Sequence, residues 1–393
     1  MTIYLDNQAT TPCDPRVVAA MLPLFETEFG NPHSAEHELG RRAAACIEAA
    51  RGKIAALIGA ESREIILTSG ATEANNLAIK GAARFAGAAQ ARRRIITVAT
   101  EHKCVLESVR DLAAEGFEPV ILPVDARGLL DPDRLRDALR VPTLLVSVMA
   151  VNNETGIIQD IGALAALARA AGALFHSDMA QAVGKIPVDV ESLGLHLASV
   201  SAHKMYGPKG VGALYVRRRP RVRLSPLFSG GGQERGLRSG TLPAPLVVGF
   251  GAACHLSAQE MDKEAEVIGC RRDRLLALLS ARIPGLVCNG AGAPRIPGNL
   301  SLRVAGVRAL DLIAALPGLC MSTGSACTSA ELAPSHVLSA MGLTPAEAAC
   351  SLRVGVGRFT SAADIETAAD MLAGAIARLA SAAPPYDPVL AEV

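Results

Sequence analysis

Short runs of β-branched and other apolar residues alternate with helix-like stretches from about residue 15 to residue 255, and no other feature constrains the fold of this chain as strongly. The runs are Ile65-Ile66-Leu67, Arg94-Ile95-Ile96-Thr97-Val98, Pro119-Val120-Ile121-Leu122, Leu144-Leu145-Val146-Ser147-Val148, Leu174-Phe175-His176 and Ala198-Ser199-Val200-Ser201. Ala- and Leu-rich segments such as the one from Ile161 to Ala171 separate them. Buried parallel strands joined by right-handed helical crossovers produce this pattern, so the chain reads as α/β with a mostly parallel sheet flanked by helices. Ligands of such sheets collect beyond the carboxyl ends of the strands, where the polar clusters of this chain fall.

After about Ser257 the pattern changes to a charged helix from Glu260 to Ser280, strand-like segments at Asn299 to Val304 and Ser351 to Val356, and a final Ala-rich helix. The expected organisation is a large domain over residues 15–256 and a smaller α+β domain over 257–393, joined by residues 1–14. A length of 393 residues accommodates both.

Composition removes several classes of function. A net charge of +1 offers no field for nucleic acid or an anionic membrane, and Arg92-Arg93-Arg94 and Arg217-Arg218-Arg219 read as solvated faces. Trp is absent, which argues against a base-stacking surface. The N-terminus lacks a basic start followed by an apolar run, and prolines and polar residues break the longest charge-free stretches. The expectation is a cytoplasmic protein without a membrane span. Nine cysteines without a Cys-x-x-Cys pair argue against both a disulfide framework and structural zinc. His33 and His37 flank Glu36 at helical spacing but lack a zinc signature, and read as a polar helix start.

Five places carry candidate chemistry. Thr68-Ser69-Gly70-Ala71-Thr72-Glu73 joins a strand to a helix; it is a plain N-cap or a phosphate cradle built from unpaired N–H groups. Asp178 lies just past the strand Leu174 to His176, either capping a turn or pairing with the ring nitrogen of a pyridine cofactor, with Gln181 one turn on beside its phenolic oxygen or at the surface. Lys204, one of seven lysines, closes Ser201-Ala202-His203-Lys204 and is placed to form a Schiff base with a cofactor aldehyde. His102 follows another strand and is either structural or stacked on the ring as a proton shuttle. Cys327 lies in Ser322-Thr323-Gly324-Ser325-Ala326-Cys327-Thr328-Ser329, a polar run that suits an exposed thiol; whether that thiol is reactive stays open.

Taken in order along the chain, these segments resemble the NifS/IscS group of cysteine desulfurases, within the fold-type I pyridoxal-phosphate enzymes. Tyr4 to Pro12, Phe29 to Pro32, Thr68 to Glu73, Glu101-His102, Val151 to Gly156, Asp178 to Gln181, Ser201 to Lys204, Gly230 to Gly236, Arg238 to Thr241 and the Cys327 loop carry the likeness. The resemblance implies a seven-stranded sheet, pyridoxal 5′-phosphate on Lys204, Asp178 at the ring nitrogen, Gln181 at the phenolic oxygen and His102 over the ring. It implies Thr72, Ser201, His203 and the backbone of Ala71 around the phosphate, and Thr241 reaching the partner's site in a homodimer. Asn153 and Arg353 would hold the carboxylate of L-cysteine, and Cys327 would take the sulfur as a persulfide for a sulfur acceptor or iron–sulfur scaffold protein. No metal, nucleic acid or membrane enters.

Ala202, Met179 and Gln8 depart from the pattern of many relatives, and the chain ends soon after Pro384-Pro385-Tyr386, so scaffold docking is expected to differ. An aminotransferase, β-lyase or selenocysteine lyase would share Lys204 and Asp178 without needing Cys327. A non-catalytic sulfur-transfer scaffold would need neither.

Overall fold

The computed structural model describes residues 2–87, 91–324 and 334–382. In chain order its strands are β1 (Ile3–Tyr4), β2 (Ile65–Thr68), β3 (Arg94–Val98), β4 (Glu118–Leu122), β5 (Thr143–Ser147), β6 (Leu174–Asp178), β7 (Leu197–Ser201), β8 (Gly212–Val216), β9 (Val287–Cys288), β10 (Asn299–Arg303), β11 (Leu319–Cys320) and β12 (Ser351–Gly355). Seven of them form one sheet in the order β2-β8-β7-β6-β5-β3-β4. Strands β4, β3, β5, β6 and β7 run parallel, and β8 lies antiparallel between β7 and β2. Residues 202–211 join β7 to β8 without an α-helix, too short a connection for a parallel crossover, so the chain returns antiparallel.

Every residue of β5, β7 and β8 is buried, because apolar clusters cover both faces of the sheet. One cluster sets Ile65, Leu67, Val146, Phe175 and Val200 against Ile54 and Phe250; the other sets Ile66, Ile95, Leu145 and Leu214 against Leu77 and Val109. Burial on both faces explains why these strands read as continuous apolar runs.

A third cluster gathers Leu300, Leu302, Leu352 and Val354 from the three-stranded sheet β12-β10-β9, with Leu372 and Ile376 of the last helix. Ile3 and Leu5 are buried there, and β1 pairs in parallel with β11. One helix, Ala244–Arg282, spans both regions with 39 residues, about 58 Å at 1.5 Å per residue. Val247, Phe250 and Cys254 pack under the large sheet, whereas Leu275 and Leu279 pack in the third cluster. The change of sequence pattern near residue 257 therefore falls inside a continuous helix. It marks a change in what the helix touches, not a break in the helix.

Other expectations need correction or completion. Arg217 is buried and donates to the carbonyl oxygens of Leu195 (3.2 Å) and Arg219 (2.8 Å), so it is not part of a solvated face. His37 caps the helix Glu38–Leu57, its Nδ1 accepting from the Gly40 N–H at 3.1 Å, as expected of a polar helix start. Among the described residues no helix is long and apolar enough to cross a membrane. Cys327 lies outside the described residues.

Candidate active site

Beyond the carboxyl ends of β2, β3, β6 and β7 lies a cavity of about 560 Å³. Ala71, Thr72, His102, Asn153, Asp178, Gln181, Ser201, His203, Lys204 and Arg353 all line it, ten side chains or backbones that the sequence scatters over nearly three hundred positions. Thr241 does not line it and is exposed.

The anion end is built by the helix Ala71–Ala86. Gly70 precedes it with φ +151°, ψ −178°, a conformation open essentially to glycine alone, and the first turn points unpaired N–H groups at the cavity. A side chain at Gly212 would meet the Gly70 backbone at 2.7 Å, so β8 packs directly beneath this turn. Glu73 braces it by accepting from the Ser69 N–H (2.8 Å) and from Arg238 (2.9 Å). His203 shares a hydrogen bond with the Thr10 hydroxyl (3.1 Å). Burial and the positive charges of Lys204, Lys209 and Lys185 pull its pKa down to about 4, so at neutral pH it is an uncharged imidazole.

At the opposite end Asp178 closes β6. One carboxylate oxygen accepts from the Asn75 amide at 2.7 Å and the other from the Ala180 N–H at 2.9 Å, leaving lone pairs for the cavity. His102 caps the helix Lys103–Asp111 with Nδ1, which accepts from the Cys104 N–H at 3.2 Å; the neutral ring therefore carries its proton on Nε2. Beneath it Glu101 is fully buried and accepts from the Met149 N–H at 2.6 Å; burial, and then the nearby Asp178, push its carboxyl well above the usual range.

Lys204 follows β7 in a single tight turn, Ala202–Lys204. Its ammonium donates to the carbonyl oxygens of Gln8 (2.8 Å) and Ala9 (2.7 Å), and Gln181 donates to the same Gln8 oxygen at 2.8 Å. Arg353, on β12, reaches in from the smaller sheet. It donates to Asp6 (2.7 Å), to the carbonyl of Asn153 (3.0 Å) and to that of Gly324 (3.3 Å), while its buried Nε has no partner. A buried guanidinium with an unfilled donor is a seat for a carboxylate.

Sequence reasoning missed Asn75, Cys104, Lys185 and Lys209, and gave Glu101 no role beyond its place in the Glu101-His102 segment. Asn75 carried a usable signal, a polar residue on the apolar face of the helix behind the glycine turn, where it is fully buried. The others are placed only by tertiary contacts.

A flat phosphorylated pyridine aldehyde fits this site: a helix N-terminus and hydroxyls for the phosphate, a carboxylate for the ring nitrogen, a lysine between them, and volume for a small amino acid beside Arg353. Fold and site together define a pyridoxal-phosphate enzyme of fold-type I. The chain belongs to the class-V aminotransferase family, whose model matches residues 3–367. Cysteine desulfurase IscS of Rickettsia akari is 50% identical over 387 residues, covering 98% of this chain and 94% of that protein. The same enzyme of Rickettsia bellii is equally similar. Among solved structures, a NifS-like protein superposes with TM-score 0.89 at 34% identity, covering 96% of this chain and all of the other. DndA from Streptomyces lividans is 39% identical with TM-score 0.77, over 89% of this chain and 98% of that one.

Proposed function

We propose that the chain is a cysteine desulfurase, which removes sulfur from L-cysteine, releases L-alanine and passes the sulfur from a Cys327 persulfide to an acceptor protein, for iron–sulfur cluster assembly. The observation that carries this reading is that Lys204, Asp178 and the unfilled donor of Arg353 face one cavity, and that Gly324, shortly before Cys327 in the chain, lines it too. The relatives named cysteine desulfurase, similar over nearly the whole chain, support the choice of substrate.

Pyridoxal phosphate, when bound, supplies the electron sink that makes the bond between Cβ and sulfur labile. Arg353 and Asn153 hold the substrate carboxylate and so orient the Cα–H bond toward Lys204. The Lys204 amine takes the α-proton and returns it. Asp178 keeps a proton on the ring nitrogen, and Gln181 donates to the phenolic oxygen. Ala71, Thr72, Ser201 and His203 hold the phosphate. His102 covers the ring and, with its proton on Nε2, acts toward the cavity as a donor. The Cys327 thiolate attacks the substrate sulfur; the S–S bond forms as the Cβ–S bond breaks, and the electron pair stays on carbon, which is protonated and leaves in alanine.

In this reading the enzyme works in the cytoplasm as a homodimer in which Thr241 reaches the partner's phosphate, and residues 15–256 form a large domain against which 1–14 and 257–393 assemble. Exposure of Thr241 supports that role. Alanine release from cysteine tests the reaction: Cys327→Ser should lose desulfuration by at least about a hundredfold while keeping the cofactor's visible absorbance. Full activity in that variant overturns the persulfide route.

A further inference from the structure

A second lysine reaches the site from behind. Lys185 donates to Oε1 of Gln181 at 2.5 Å, and Gln181 Nε2 donates to the carbonyl oxygen of Gln8, which also receives Lys204. The Gln181 amide can take only one orientation here. A carbonyl can only accept, so the contact with Gln8 puts Nε2 toward Gln8, which leaves Oε1 toward Lys185 as acceptor. Nε2 carries two protons. Gln8 takes one, and because Gln181 lines the cavity the second is left for a group bound there.

We propose that Lys185 is a positioning residue for the cofactor: by holding Oε1 of Gln181 it fixes the amide so that an N–H faces the phenolic oxygen. The proposal rests on the pyridoxal-phosphate reading of the site. Lys185 lies outside the main cavity; with Gln8, Tyr206 and Glu264 it lines an adjoining space of about 30 Å³. Burial, then the positive charges of Lys204 and Arg353, pull its pKa down to about 7. Its contact with Oε1 survives loss of the proton, since a neutral amine still donates. Glu264, the acidic group lining the same space, is taken by Arg358 and does not compete. Without Lys185 the buried Oε1 is stranded, and the side chain relieves that by turning away, taking the N–H with it.

The test reads the pH midpoint of the bound cofactor's visible absorbance. A fixed amide donor at the phenolic oxygen favours the more anionic form, so losing it moves the midpoint upward. In the holoenzyme, Lys185→Met is expected to raise the midpoint by about one unit, the shift expected when a neighbouring charge or hydrogen-bond donor is lost. Gln181→Ala should raise it similarly, adding Lys185→Met to Gln181→Ala should change nothing further, and Lys185→Arg should restore the wild-type value. If the Met variant does not fold, Lys185→Gln, too short to reach Oε1, carries the same expectation. An unmoved midpoint, or an equal shift in the Gln181→Ala background, overturns the proposal. A wild-type chain that takes up no pyridoxal phosphate would instead overturn the reading of the site.

Discussion

Arg353 shows how much one residue can hold. It is buried among Asp6, Asn153 and Gly324, yet one of its donors is unfilled, and that imbalance supports the proposed seat for the substrate carboxylate. Lysine at this position keeps the charge but loses the planar fork that grips two oxygens at once. Arg353→Lys should therefore raise KM for cysteine about tenfold to a hundredfold, the worth of one hydrogen bond to a charged group, with kcat less affected. Steady-state alanine release measures this, and an unchanged KM would remove Arg353 from the carboxylate site. The residue types at the site were readable from sequence wherever chemistry demanded a particular group, as with Lys204 and Asp178. Glu101 was not, because its neighbour Asp178 stands 77 positions away in sequence and only the sheet brings them together.

At the scale of elements, the site depends on where strands stop and helices start. The turn after β2 exists because Gly70 adopts a backbone conformation that costs other residues about 1–3 kcal/mol. No atom lies within 4 Å of where its side chain would begin, so the penalty for Gly70→Ala is conformational and not steric. That variant should lose about 1–3 kcal/mol in chemical denaturation of the apoprotein and bind pyridoxal phosphate more weakly. Stability equal to wild type would show that the turn tolerates a side chain. The strand pattern was legible in the sequence because both faces of the sheet are buried. The length of the helix Ala244–Arg282 was not, since its first half resembles a core helix and its second a surface helix, and composition reports surroundings before it reports continuity.

Across the whole molecule, two packed regions meet at a charged seam. Arg358 donates to Asp14 at 2.6 Å, pairs with Glu264 and lies over the Tyr206 ring at 4.1 Å, joining the segment before the first helix, the long helix and the chain just past β12. Asp14 is nearly inaccessible, and its hydrogen bonds from Arg16 and Arg358 hold its carboxyl far below the usual range. Arg16 still holds Asp14 when Arg358 is removed, while Glu264 loses its partner, so Arg358→Ala should cost about 1–3 kcal/mol in denaturant unfolding. A loss under about 1 kcal/mol would mean that the seam behaves as an exposed pair.

The sequence by itself determined the alternating α/β architecture, the order of the segments around the cavity, and the chemical identity of Lys204, Asp178, His102 and Arg353, because burial periodicity and reactive side chains are local properties of a chain. Tertiary structure alone decided which neighbours those residues have. Arg353 crosses from the smaller sheet to Asn153, Asn75 turns to Asp178, and Lys185 stands behind Gln181 in line with the Gln8 carbonyl. Hydrogen bonds of this kind join residues whose separation along the chain carries no information about their distance in space, and they come into being only when the sheet closes.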